Sequence, residues 1–83
     1  MDKDKSELYS HITKLHTTQL GIQRIERNLK LQEDVVAWCQ RQIIDEQSSV
    51  SRKGKNWYVY TKDSVITINA HSDTIITAHK IKK

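Results

Sequence analysis

The fold class is decided by the stretch WYVYTKDSVITIN at residues 57–69. Two runs rich in β-branched and aromatic residues, 57–61 and 64–69, are separated there by a Lys-Asp pair. Such residues favour strands and a Lys-Asp pair suits a tight turn, so the stretch predicts a β-hairpin. A third run of the same kind, 74–81, follows a four-residue turn and predicts one more antiparallel strand.

Helical spacing dominates the residues before this hairpin. Apolar side chains recur at intervals of three and four residues in the segments 6–16, 17–30 and 32–46, which predicts three helices. A threonine can cap the second helix at its start. Gly21 lies inside that helix and weakens it, so we expect a neighbouring element to pack closely there.

The order of these elements, helices first and strands last, predicts an α+β domain. We expect two or three N-terminal helices packed on one face of a three- to four-stranded antiparallel β-meander. Residues 50–52 could supply the fourth strand, at the edge of the sheet. The chain is short enough for a single domain over 1–83, with a helical part at about 6–47 and the meander at about 50–82.

Composition excludes several classes of protein. The 83 residues contain no run of about 18 apolar residues, and the charged N-terminus lacks the apolar segment of a signal peptide. The single Cys39 cannot form an internal disulfide or a thiolate zinc site on its own. We therefore expect a cytoplasmic protein with no membrane segment and no cofactor.

The net charge of +4 is divided unevenly along the chain. Residues 1–47 carry seven basic and eight acidic groups, for a formal charge of −1. Residues 48–83 carry seven basic groups against only Asp63 and Asp73, for a formal charge of +5. The C-terminal part therefore has the charge of a surface that binds a polyanion, and RNA or another nucleic acid is the expected partner.

Side chains alternate along a strand, so the predicted strands have two different faces. The apolar face is expected to pack under the helices and contains Trp57, Val59, Ile66, Ile68, Ala70, Ile76 and Ala78. The opposite face is too polar for a core, with His71 near its end, and contains Tyr58, Tyr60, Val65, Thr67, Asn69, Ile75, Thr77, His79 and Ile81.

The polar face has the side chains that recognise single-stranded RNA. Tyrosine rings stack on bases, amides and hydroxyls form hydrogen bonds, and lysine or arginine contacts phosphates. The predicted nucleic-acid-binding residues are Arg52, Lys53, Lys55, Tyr58, Tyr60, Asn69 and Lys80.

The same face could also cleave RNA without a metal ion. A histidine, with a reference pKa of about 6.5, can act as a base toward a ribose 2′-hydroxyl and later as an acid. His79 and His71 are the candidates for this role, and a basic side chain would stabilise the charge on the phosphate. No metal site is expected, because zinc usually requires a third ligand beside these two imidazoles.

Three stretches of the sequence resemble a family of short bacterial proteins of unknown function. They are HTTQLGIQRIERNL at 16–29, RKGKNWYV at 52–59 and ITINAHSDTIITAHK at 66–80. The resemblance spans nearly the whole chain. One departure is Asp73, which stands where this family usually has an aromatic residue.

More distantly, the predicted fold is similar to the barnase, EndoU, colicin and RelE group of ribonuclease toxins. The last strand of that group often ends in a threonine-containing motif, which residues 77–79 resemble. The resemblance implies that Thr77 and His79 lie in an active site, opposite His71 and a basic residue, Lys53 or Lys55. It also implies a toxin-like, metal-independent endoribonuclease with an antitoxin as a protein partner.

Two other functions fit the same sequence. Three helices and a hairpin are also the order of a winged helix, in which the second helix, with Arg24, Arg27 and Lys30, would enter a groove of the nucleic acid. A small protein of a mobile genetic element could instead inhibit a nucleic-acid-processing partner. A homodimer is also plausible, because an edge strand or the exposed face can be covered by a second copy.

Overall fold

A computed structural model describes residues 3–81, and shows an α+β fold. The helices are α1 (Lys3–Tyr9), α2 (Gln19–Leu29) and α3 (Val35–Ile44), with one turn of 3-10 helix at Ile12–Lys14. The strands are β1 (His16–Thr17), β2 (Ser49–Lys53), β3 (Asn56–Tyr60), β4 (Ser64–Asn69) and β5 (Thr74–Lys80). The predicted end of the meander at residue 82 and the charges of Lys82 and Lys83 lie outside the described residues.

The strands form a single sheet in the order β1-β5-β4-β3-β2. From β2 to β5, each strand pairs antiparallel with the next strand in the chain, as predicted for a meander. The edge strand expected at 50–52 is β2. The hairpin between β3 and β4 is confirmed, because the Thr61 amide donates to the Ser64 carbonyl across the Lys-Asp pair. The sheet is nevertheless mixed, because β1 pairs with β5 in parallel.

The prediction of one helix over 6–16 is wrong. Helix α1 ends at Tyr9, and the chain then runs through the 3-10 turn into β1. Leu8 and Leu15 are both buried without a continuous helix between them, so their helical spacing misled the prediction. The strand prevails because the His16 amide donates to the Asp73 carbonyl and the Thr17 hydroxyl donates to the Ile75 carbonyl.

The other two helices occur where they were expected, although α3 is shorter than predicted. Thr18 caps α2, since its hydroxyl oxygen accepts a hydrogen bond from the Gly21 amide at 3.0 Å. Asp34 caps α3 in the same way, accepting from the Ala37 amide at 2.8 Å. These caps satisfy amides that the first turn of a helix leaves without a partner.

A β-bulge changes which residues of β5 face the core. Thr67 pairs with Thr77 but Ile68 pairs with Ile75, so Ile76 is the extra residue on β5. The predicted assignment of these isoleucines is therefore reversed: Ile75 is fully buried, and Ile76 is only partly buried. Beyond the bulge the predicted alternation holds, because Ala78 lies in the core and Thr77 on the other side.

The core lies between the three helices and one face of the sheet. Trp57 is its largest buried side chain, only 1% exposed. The other buried hydrophobic residues are Leu8, Leu15, Ile25, Val35, Cys39, Ile43, Val50, Val59, Ile66, Ile68, Ile75 and Ala78. The opposite face of the sheet has no helix packed on it within the described residues, and it is the face on which the polar side chains were predicted. We call it the open face.

Gly21 allows α2 to pack against β5, as the sequence indicated. A Cβ atom on Gly21 would lie 2.3 Å from Oγ1 of Thr17 and 3.3 Å from the carbonyl oxygen of Ile75. Since Thr17 also donates its hydroxyl to that carbonyl, the side chain cannot move away without losing the hydrogen bond that holds β1 on β5.

Replacing Gly21 with alanine should therefore destabilise the protein despite alanine's better helix propensity. We expect a loss of about 1–3 kcal/mol in the free energy of unfolding, the usual cost of overpacking. Urea denaturation of Gly21→Ala measures it, and Gln23→Ala, an exposed change on the same helix, should stay within about 0.5 kcal/mol of the wild type. A Gly21→Ala protein as stable as the wild type would contradict the close packing.

Burial raises the pKa of the Cys39 thiol to about 12, with a smaller contribution from the negative charge of Asp34. The folded protein therefore keeps this proton at a pH where the unfolded chain, with an ordinary thiol pKa of 9.0, has lost it. Stability that depends on Cys39 is complete below about pH 9 and should decline above it by up to about 1.4 kcal/mol per pH unit.

The comparison of wild type with Cys39→Ala isolates this effect from the titration of lysines and tyrosines. We expect the stability difference between the two proteins to shift in favour of the variant as the pH rises from 9 toward 11. Thermal unfolding at a series of pH values measures the difference, and a pH-independent difference would refute the burial argument.

Candidate functional site

Each of the five strands contributes one polar residue to a continuous row across the open face. In order across the sheet these residues are Lys53, Asn56, Asn69, Thr74 and His16, and each is the register partner of the next. Adjacent strands lie about 4.8 Å apart, so the row is about 20 Å long. We call these five residues the polar row.

A chain of hydrogen bonds begins at one end of the polar row. Nδ1 of His16 lies 3.1 Å from the Lys14 carbonyl oxygen, which can only accept, so Nδ1 carries the hydrogen. In the neutral ring Nε2 then accepts from the Thr74 hydroxyl, at 3.1 Å. Oγ of Ser72 lies 2.8 Å from the Thr74 hydroxyl and 3.3 Å from Oδ1 of Asn69, and its single hydrogen can be donated to either oxygen.

The turn between β4 and β5 positions Ser72 for this chain. Oδ1 of Asn69 accepts from the backbone amides of His71 and Ser72, at 2.9 and 3.1 Å. The turn is joined to the β2–β3 turn by a 2.7 Å hydrogen bond from the Ala70 amide to the Lys55 carbonyl. Lys55 and His71 therefore lie at the same end of the sheet as the polar row.

A second pair of polar groups supports this turn from the helical side. Nδ1 of His11 lies 3.0 Å from Oδ1 of Asp73, and the His11 ring packs against Trp57 with ring centroids 5.3 Å apart. The two atoms are buried, and their geometry is not that of a directed hydrogen bond. Asp73 adopts a left-handed conformation, with φ of 58°, and its carbonyl accepts from the His16 amide.

The four residues predicted to be catalytic do not meet at one point. Lys55 and His71 lie beside the polar row, whereas Thr77 and His79 follow farther along β5. His79 pairs with Val65, four residues before Asn69 on β4, which corresponds to about 13 Å along the strand. One phosphate group cannot contact both pairs directly.

The predicted nucleic-acid-binding residues divide between the two sides of the sheet. Lys53, Lys55, Tyr58, Tyr60 and Asn69 lie on the open face or at its end. Two others belong to the helical side. Arg52 packs over the Trp57 ring and pairs with Glu7 of α1 at 3.2 Å, and the exposed Lys80 is the register partner of the buried Ser64.

His16, Ser72 and Thr74 were not predicted from the sequence to be site residues. His16 was assigned to the end of a helix, and a two-residue strand has no periodicity that would correct this. The β-branched pair Thr17 and Thr18 directly after His16 is the one local signal for an extended backbone at that point.

No cluster of three or more histidine, cysteine, aspartate or glutamate residues able to hold a metal ion occurs within residues 3–81. Over the same residues, no helix has the length and apolar content required to cross a membrane.

Residues 9–79 match a family described as Protein of unknown function (DUF3781). The chain belongs to this family. The matched part of this DUF3781 protein includes the whole polar row and its hydrogen-bond chain. No curated protein and no solved structure gave a match to the chain, so the more distant similarity to ribonuclease toxins stays a prediction.

The hydrogen bonds of His16 predict its neutral tautomer. The Lys14 carbonyl should hold the hydrogen on Nδ1, which is the less common tautomer for a free imidazole. Long-range ¹⁵N–¹H correlation spectra at mildly alkaline pH report the tautomer directly. We expect Thr74→Val, which removes the donor to Nε2, to move the Nε2 resonance while the hydrogen stays on Nδ1. A hydrogen found on Nε2 would contradict the assigned chain.

Proposed function

We propose that this DUF3781 protein targets RNA and binds it as a single strand across the open face of its sheet. The observation that carries the proposal is the polar row, which places hydrogen-bonding side chains from the five described strands on a face that none of the described helices covers. An exposed sheet with such a row is a surface on which unpaired bases and ribose hydroxyls can be recognised.

The charge distribution of the sheet supports this proposal. None of the five described strands contains an aspartate or a glutamate. Lys53 and Lys55 stand at the end of the open face, and both are exposed. A polyanion can therefore approach the face without meeting a fixed negative charge within the strands.

The aromatic and amide groups are suited to single-stranded bases. Tyr58 and Tyr60 lie two residues apart on β3, about 7 Å, on the same side of the strand. A tyrosine ring stacks on any base, which supplies affinity without strict sequence preference. Asn69 uses its oxygen to hold the turn, so its amide hydrogens remain available to donate to a base.

Binding should depend on salt and on the lysines at the end of the open face. We expect a labelled RNA of about 12 nucleotides to bind with an affinity that declines steeply with salt. Lys53→Ser combined with Lys55→Ser should weaken binding and lower the slope of log K against log salt by about 1.4, for two lost phosphate contacts. Fluorescence anisotropy over a salt series measures both quantities.

The matched control is Arg24→Ser combined with Arg27→Ser, which removes the same charge from the exposed surface of α2. It should have a smaller effect on affinity than the lysine pair. The opposite ranking would favour the winged-helix alternative, in which α2 enters a groove. A flat salt response, or no binding by the folded wild type, would refute the proposal.

A further inference from the structure

We infer that His16 is the general base of an RNA-cleaving site at the edge of the open face. The inference rests on the proposed RNA binding and goes beyond it, because a surface can bind RNA without reacting with it. The substrate is the ribose 2′-hydroxyl adjacent to a phosphodiester.

His16 is held in place at three points. Its backbone amide donates to the Asp73 carbonyl, Nδ1 donates to the Lys14 carbonyl, and Nε2 accepts from Thr74. A base fixed by a third group and facing a hydroxyl is the arrangement that activates oxygen nucleophiles. By contrast, the side chains of His71 and His79 form no hydrogen bond with any residue between 3 and 81.

The tautomer presents the correct atom to the substrate. With the hydrogen on Nδ1, the lone pair of Nε2 is directed at the hydroxyl of Thr74. His16 is exposed, so a 2′-hydroxyl can replace Thr74 as the donor to this lone pair. The Thr74 hydroxyl can then rotate and donate to a phosphate oxygen, with Oγ of Ser72 still 2.8 Å from it.

The reaction requires no metal and no further reactant. Nε2 takes the proton of the 2′-hydroxyl, and the 2′-oxygen forms a bond to phosphorus. The bond from phosphorus to the 5′-oxygen breaks, and that oxygen leaves with the electron pair and takes a proton from solvent. The products are a 2′,3′-cyclic phosphate and a 5′-hydroxyl, and His16 returns its proton to solvent. Lys53 stands at the other end of the polar row, about 20 Å away, so the Thr74 hydroxyl is the donor beside Nε2 that can stabilise the charged phosphorus intermediate.

The same hydrogen-bond chain could instead be expected to activate Ser72 as an acyl-transfer nucleophile. That reaction requires backbone amides that bind the developing oxyanion. The amides of His71 and Ser72, which are closest in the chain to this hydroxyl, already donate to Asn69. Since the proposed substrate is RNA, phosphoryl transfer is the chemistry that we assign to this site.

The test measures binding and cleavage of one end-labelled RNA in the same reaction, with a chelator present. His16→Asn preserves a donor near the Lys14 carbonyl but lacks a base. At protein concentrations that saturate the RNA for both proteins, we expect it to cleave at least 100-fold more slowly than the wild type. The increase of the wild-type rate with pH should be absent in the variant, which a merely structural role of His16 would not produce.

A second measurement does not depend on how the variant folds. Wild-type protein should bind an RNA that carries a single 2′-deoxy residue but should not cut it there, and mass spectrometry of the normal products should show cyclic phosphate ends. Binding without cleavage by the wild type would overturn the inference and leave RNA binding intact, whereas loss of binding would refute the proposed function itself. Cleavage that survives in His16→Asn and is lost in His79→Asn would assign the base to His79 instead.

Discussion

Two residues of β1, His16 and Thr17, pair in parallel with the start of β5 and join parts of the chain that are 58 residues apart. This pairing fixes the start of α2, because Thr18, the next residue, is its N-cap. It also fixes how closely α2 approaches the sheet, since the Thr17 side chain and the Ile75 carbonyl occupy the space beside Gly21. The position of the His16 imidazole, and hence the hydrogen-bond chain, follows from the same short strand.

The bulge at Ile76 determines which side chains of β5 share the open face. Without it, a strand that buries Ile75 would also bury Thr77, which is the register partner of Thr67 on the open face. With it, Ile75 and Ala78 both lie in the core while Thr74 and Thr77 face outward. The extra residue thus reconciles a buried strand with a polar outer surface, as bulges beside functional surfaces often do.

The acidic side chains of α1 lie near an edge of the sheet and not within its strands. Near one edge, Asp4 accepts from the Arg52 amide and Glu7 pairs with the Arg52 guanidinium. At β5, Asn28 of α2 donates to the Ala78 carbonyl at 3.1 Å. Asp4 and Asn28 thus occupy backbone groups that a strand edge would otherwise offer to another chain. The acidic groups of α1 thus contact the edge strand β2, and the five described strands contain only basic and neutral residues.

The sequence by itself determined the hairpin, the capped helix α2, the close packing at Gly21 and the uneven charge, because each is recorded in neighbouring residues. Only the tertiary structure decided the strand at His16 and the exchange of Ile75 and Ile76, since both depend on partners distant in the sequence. His71 and His79, which were predicted for one site, lie far apart because one precedes β5 and the other is near its end. His16, Ser72 and Thr74 come together instead. A parallel pairing of two residues and a single extra residue in a strand produce no periodic pattern in the sequence. The free energy that selects them comes from hydrogen bonds and burial that involve residues distant in the sequence.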